Sequence, residues 1–226
     1  MYDIIFISYN EPEADANWKH LTETYFWAKR VHGVTGIHQA HIQGAKLANT
    51  EMVWFVDADA IVMDDFDFSY EPDKDNLDTV HVWRSQNPVN GLVYGNGGIK
   101  LFPRQLTIDM DLSQPDMTTS ITHKFKVMHE IANITAFNTN PFSTWRSAFR
   151  ECAKLSSKVI DRQKNEETDS RLDTWCTVGR ENLFGDYAIR GSIAGRKYGA
   201  THQGDTAALR LVNNYDWLKE QFDADT

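Results

Sequence analysis

The chain is poor in cysteine, in positive charge and in long apolar runs, and each scarcity excludes a class of protein. Only two cysteines occur in 226 residues. Cys152 and Cys176 form no C-x-x-C pair, so neither a disulfide framework nor a thiolate metal site is expected. Two reduced, partly buried thiols are the reading. Lys and Arg number 23 against 32 Asp and Glu, a formal charge of −9. A surface built to grip phosphates is usually basic, so contact with nucleic acid would need a local basic patch within an acidic whole. No stretch approaches the ~20 apolar residues that a bilayer span needs. Met1-Tyr2-Asp3 leads straight into Ile4-Ile5-Phe6-Ile7, too short for the apolar part of a signal peptide and without a basic flank. A cytoplasmic protein without a membrane is expected. There is no internal repeat, low-complexity tract or Pro/Ser-rich linker.

What is present is an ordinary globular balance, 41% hydrophobic and 24% charged, with strands and helices alternating at the start. Asp3 to Tyr9 reads as a strand covered on both faces, stopped by Glu11-Pro12. Ala14 to Trp27 has helical spacing, and Ala28 to Val31 is a short second strand. After the turn Gly33 to Gly36, Ile37 to Ala48 is a second helix. Met52-Val53-Trp54-Phe55-Val56 is the strongest strand signal in the chain. The middle is less regular, with a short strand expected near Phe66–Phe68 and others at Val80–Trp83, Ile99–Arg104 and Ile131–Phe137. Glycine-dense Gly91 to Gly98 lies between two of them. The last third reads as helical. It starts with a stripe of Trp145, Ala148, Phe149, Cys152, Leu155, Val159 and Ile160, followed by helices at Phe184–Tyr198 and Asp205–Phe222. The expected fold is α/β, a mixed but mostly parallel sheet flanked by helices. It forms one domain over 1–226, in which about 1–104 binds a ligand and about 105–226 completes the site.

The chemistry centres on Asp57-Ala58-Asp59. In open α/β sheets ligands bind at the carboxyl ends of strands. Two carboxylates placed there repel each other and lose hydration, which is costly unless a cation or hydrogen-bond donors neutralise them. Hard oxygen ligands of this kind suit Mg²⁺ or Mn²⁺, which bind through substrate phosphates and one or two carboxylates.

With these residues in view, the chain resembles the GT-A glycosyltransferases. The resemblance rests on the opening Ile4 to Pro12, the helix after Gly36, and Val56-Asp57-Ala58-Asp59. More narrowly it is similar to small glycosyltransferase-like proteins of tailed phages and marine bacteria. The phage group includes candidates for sugar transfer onto hydroxymethylated DNA bases. The resemblance covers most of the chain. It implies a nucleotide-diphosphate sugar donor, a UDP-sugar first, and a Mn²⁺ or Mg²⁺ cofactor.

It also implies roles. Ser8, Tyr9, Asn10 and Glu11 would hold base and ribose, although the same residues also read as a strand-end turn. Arg30 would contact base or phosphate. His38 would meet the diphosphate at a helix N-terminus or act as a helix-capping residue, and His41 packs under the sheet. Asp57 would bond the ribose and help with the metal, Asp59 would be the direct ligand, and His202 a further one, with Asp205 weaker. Asn96, Gly97 and Gly98 would border the sugar, or form a turn. Phe184 to Arg190 followed by Ala194-Gly195 is similar to the family's catalytic-base segment. It has only one acid, and its spacing is a residue short. Asp186 is therefore the base candidate and Glu151 the runner-up. Trp145 and Arg146 would line the acceptor side, with a core position equally open to Trp145.

The implied reaction passes a sugar to an acceptor hydroxyl, with Asp186 accepting the hydroxyl proton if the reaction inverts. For the acceptor, 5-hydroxymethylcytosine in DNA stands beside a glycan, a protein or a small molecule. A DNA acceptor would call on Arg146, Arg150, Lys154 and Lys158, with Arg190, Arg196 and Lys197, and would require base flipping. A nucleotidyltransferase is a rival, although no early glycine-rich loop with a basic residue is present. A catalytically idle binding protein on the same scaffold is another.

Overall fold

A computed structural model describes residues 1–114, 116–158 and 165–225. Val159 and Ile160 of the expected stripe lie outside the described residues. The chain divides into two compact units, Met1–Gln86 with Val93–Ala136, and Asn87–Leu92 with Phe137–Thr226.

The first unit holds a seven-stranded mixed sheet. In chain order its elements are β1 (Asp3–Ser8), α1 (Ala14–Thr24), β2 (Lys29–His32), α2 (Ile37–Leu47), β3 (Met52–Asp57), β4 (Ala60–Val62), β5 (Val80–Gln86), β6 (Val93–Pro103), α3 (Arg104–Ile108), α4 (Met117–Ile121) and β7 (Phe125–Thr135). The spatial order is β2-β1-β3-β6-β5-β7-β4. β2, β1 and β3 run parallel, as the opening alternation implies. β6 then lies antiparallel to both β3 and β5, while β5 and β7 are parallel and β4 closes antiparallel on β7.

β3 shows why the sequence signal there is continuous. Met52, Trp54 and Val56 enter one apolar cluster with Ile4 and Phe6, while Val53 and Phe55 enter another with Ile5, Ala45 and Phe102. Successive side chains of a strand point to opposite faces, so a strand covered twice must be apolar at every position. Phe66 and Phe68 belong to no strand. Their rings instead plug the first cluster, edge-on to Trp54 at 6.0 and 5.2 Å. Asp67 between them closes a local turn by accepting from the Ser69 amide at 3.1 Å. Here aromatic spacing of two reflects packing from an irregular segment, not a ladder.

The glycine-dense stretch also departs from expectation. Gly95, Gly97 and Gly98 lie inside β6 rather than in a turn. A Cβ on Gly98 would sit 2.6 Å from the Asn133 amide nitrogen. Glycine is there because Asn133, a buried polar side chain of β7, the strand beyond β5 in the sheet, occupies that space. That amide group is itself fixed, Asn133 Oδ1 accepting from Ser85 Oγ at 2.7 Å.

His81 on β5 is fully buried beside Tyr70. Burial, helped by the Lys126 charge, pushes its pKa down to about 4. An unfolded histidine takes up a proton near pH 6.5. Between roughly pH 6.5 and 4, unfolding therefore binds a proton that the folded state refuses, and stability falls as pH falls. His41, also fully buried and held well below the usual histidine value by desolvation, adds to the same slope. Urea unfolding at pH 7, 5.5 and 4.5 should show wild type losing up to about 3 kcal/mol through protonation of His81 on unfolding. His81→Leu should be distinctly flatter over the same window; identical slopes would remove this assignment.

The second unit is helical: α5 (Pro141–Ser157), α6 (Asn165–Thr177), α7 (Gly185–Thr201), α8 (Thr206–Arg210) and α9 (Tyr215–Asp225). α5 starts at Asn140, whose side chain accepts from the Ser143 amide, with Pro141 in the first turn, a strong start signal. The single helix expected over 205–222 is broken in two. Asp205 caps α8 through the Ala208 amide, and Asn214 accepts from the Trp217 amide at 3.1 Å to begin α9. Both are cap-forming residues inside an otherwise helical pattern. α5 and α7 pack backbone to backbone. A Cβ on Gly191, Gly195 or Gly199 would lie 2.2–2.3 Å from the carbonyl oxygens of Trp145, Phe149 and Ala153. Both cysteines are free thiols, Cys152 buried and Cys176 half-buried.

Candidate functional site

The carboxyl ends of the three parallel strands bring polar residues together in the first unit. Ser8 ends β1, level with His32 on β2, and Asp57 ends β3 opposite Ile7. Ser8 is buried, its Oγ accepting from Arg30 Nε at 2.8 Å and pairing with His32 Nδ1 at 2.9 Å. Arg30 also donates to Asp15 at 2.7 Å and lies over the Phe6 ring. Ser8 and Arg30, expected separately, thus form one network. Beyond it Tyr9 is exposed. Its amide donates to Glu11 Oε2 at 2.6 Å, so Glu11 closes the turn after β1, with Asn10 exposed between them.

The acidic turn is anchored on both sides. The Ala58 carbonyl accepts from Asn17 Nδ2 of α1 at 2.8 Å, and the Asp59 carbonyl from the Ala136 amide at 2.6 Å. Asp57 Oδ1 accepts from Lys100 Nζ at 2.6 Å, and the same ammonium donates to the Gly97 carbonyl at 2.7 Å. The Lys100 side chain is 2% exposed and that of Asp57 31%. The charge that neutralises Asp57 is therefore supplied by the chain itself, a lysine standing where the sequence pattern asks for a cation or hydrogen-bond donors.

Gly97 has φ +87°, a left-handed conformation that favours glycine, and the space a Cβ would take is open. The Asn96 side chain lies outside what is described. His38, in the first turn of α2, pairs with Ser120 Oγ at 3.2 Å.

Among the described residues no group of three His, Cys, Asp or Glu side chains is placed to hold a metal. Asp57 Oδ2 takes no hydrogen bond among the described residues, and Asp59 is two positions on. Two hard carboxylates fit a Mg²⁺- or Mn²⁺-like ion that takes most of its other ligands from substrate phosphates and water.

The remaining candidates belong to the second unit. Asp186 lies in the first turn of α7, exposed and paired with Arg180. His202 caps the other end of α7, its Nδ1 bonded to the Tyr198 carbonyl at 2.8 Å and its ring 4.2 Å from that of Tyr198. Trp145 is 0% exposed, stacked on Phe149 and donating to Asp225 Oδ2 at 2.8 Å; it fills the unit's core and presents no surface to an acceptor. Arg146 lies over the Phe142 and Tyr215 rings. Glu151 is half-buried on α5. Three of the basic positions proposed for DNA are engaged within the unit: Arg190 with Asp225, Arg196 with Asp173, Arg150 with Asn213.

No protein-family model matches the chain, nor does any curated protein sequence. Among solved structures it is similar to a mannosyltransferase, PcManGT from Pyrobaculum calidifontis, solved in complex with GDP-Man and Mn²⁺. Identity is 13%, the TM-score 0.47, and the match covers 95% of this chain and 88% of that one.

Sequence reasoning missed two residues of the first unit's site. His32 fell just past the expected end of β2, and extending that strand by one residue would have placed it level with Ser8. Lys100 had a visible signal. It is a lysine in an apolar run, Ile99-Lys100-Leu101-Phe102, and a fully buried lysine requires a charge partner.

Proposed function

We propose that the chain is a GT-A-type glycosyltransferase that takes a sugar from a nucleoside diphosphate donor, a UDP-sugar first, and passes it to an acceptor hydroxyl. The observation that carries this reading is the placement of Asp57 and Asp59 at the carboxyl end of the most buried strand, beside the Ser8–Arg30–His32 network at the ends of β1 and β2. An anion-bearing nucleotide suits that edge. Arg30 offers fixed donors, Tyr9 an exposed ring, and the open face at Gly97 a close backbone approach. In this reading Asp57 and Asp59 would hold Mn²⁺ or Mg²⁺, which when bound stabilises the charge on the leaving diphosphate. Asp57 keeps its orientation through Lys100, Ser8 and Arg30 fix the nucleoside end, and Asp186 takes the acceptor proton.

The test is a thermal-shift screen of UDP-, GDP- and CDP-sugars with Mn²⁺, followed by mass spectrometry of hydroxymethylated DNA, glycans and small-molecule hydroxyls incubated with whichever donor binds. A ligand that binds only the folded state stabilises it by mass action, by about 2.7 kcal/mol at a hundredfold excess over Kd, and so raises the melting temperature. A shift with one sugar nucleotide and transfer to one acceptor class is expected. Binding without transfer points to an idle scaffold, and no shift with any nucleotide refutes the reading. Asp186→Asn should lose transfer while keeping donor binding; unchanged turnover would move the base elsewhere.

A further inference from the structure

We propose that Lys100 is a binding residue for the donor diphosphate, a fixed cation built into the sheet at the acidic turn; this deepens, and rests on, the donor reading above. Three observations converge on it. The first is that Lys100 has no packing reason to be a lysine. Its register partners are Phe55 on β3 and Val82 on β5, and Phe102, two residues on, shares its face. That surface is an apolar core, lined by Val53, Phe55, Val80, Val82 and Phe102. Replacing a buried ion pair with apolar side chains is often neutral or stabilising, so stability alone does not account for an ammonium here.

The second is where the ammonium ends. Its stem runs through the core, yet its head meets Asp57, which keeps 31% of its side chain exposed, and the carbonyl of Gly97, whose missing side chain leaves open space. The charge is thus delivered from inside the sheet to the carboxyl end of β3, the edge where ligands of open α/β sheets bind.

The third is donor arithmetic. An ammonium has three N–H donors and no acceptor. Two are engaged, by Asp57 Oδ1 and the Gly97 carbonyl. The third has no acceptor among the described residues. With Asp57 balanced by Lys100, the acidic turn carries one negative charge fewer, which lowers the repulsion of an incoming diphosphate. A phosphate oxygen is a strong acceptor for the remaining donor, in a charge-assisted bond.

The test is calorimetric titration of UDP, GDP and the corresponding nucleosides into wild type, Lys100→Met and Lys100→Arg, each with Mn²⁺ and with chelator. The expected result has three parts. Lys100→Met loses at least tenfold in nucleoside diphosphate affinity, Lys100→Arg retains most of it, and nucleoside affinity is unchanged in both. A merely structural lysine would weaken nucleoside and diphosphate alike. Should Lys100→Met not fold, Lys100→Gln, which keeps a donor without the charge, is read the same way. Diphosphate affinity lowered less than tenfold, or lowered equally with that of the nucleoside, overturns the Lys100 assignment and leaves the donor reading standing. Wild type that binds no nucleotide in either condition overturns both.

Discussion

Asp59→Ala is expected to lower sugar transfer by a factor of about 10³, the loss typical when a group stabilising developing charge is removed. Asp59→Asn should show nearly the same loss with a melting temperature within a few degrees of wild type, since the amide keeps the shape of the acid while removing its charge and turning one acceptor oxygen into a donor. Asp59 is a cleaner probe than Asp57. Removing the Asp57 carboxylate leaves the Lys100 ammonium, 2% exposed, without its counter-charge, and breaking a buried pair from one side is strongly destabilising. Loss of activity in Asp57→Ala would therefore mix folding with chemistry. Initial rates at saturating donor, paired with a melting curve for each variant, separate the two. Turnover of Asp59→Ala within tenfold of wild type would remove the carboxylate from the reaction.

A large effect on stability is expected at Gly195. An alanine methyl there would meet the Phe149 carbonyl at 2.2 Å and its Cα at 2.8 Å. Both are backbone atoms of α5, so no rotamer change relieves the overlap and the helices must separate. Overpacking of a core costs about 1–3 kcal/mol when side chains can adjust; with none able to, Gly195→Ala should lose at least about 3 kcal/mol. Ala200→Ser, exposed on the same helix, should stay within about 0.5 kcal/mol. Denaturant melts of the two variants against wild type make the comparison. Equal midpoints for Gly195→Ala and wild type would mean that α5 and α7 are not in backbone contact.

Much of the first unit was legible because its physics is local. The uninterrupted apolar run of β3 requires cover on both faces, and the turn glycines Gly33 and Gly36, with φ +73° and +91°, mark where β2 gives way to α2. The residues that misled do so for non-local reasons. Phe66 and Phe68 are spaced like a strand but answer to Trp54, and Gly98 looks like a turn glycine but answers to Asn133, on a strand that follows later in the chain. In the second unit, Asp205 and Asn214 carry the break between α8 and α9 in plain view, and the apolar period drowns it. The acidic turn was visible from its strand. Its partner Lys100 was hidden because lysine is ordinarily read as surface, and only the pairing of β3 with β6 reveals where its charge goes.

The three glycines that let α7 lie against α5 also make α7 a weak helix by itself. Each is worse than alanine by about 1 kcal/mol in a helix interior, so a peptide of residues 185–201 should be largely coil in water. α7 would then acquire its turns only as it meets α5, whose capped start gives it a better chance of forming early. The order of events in the second unit would follow from this asymmetry: one helix as template, the other shaped upon it.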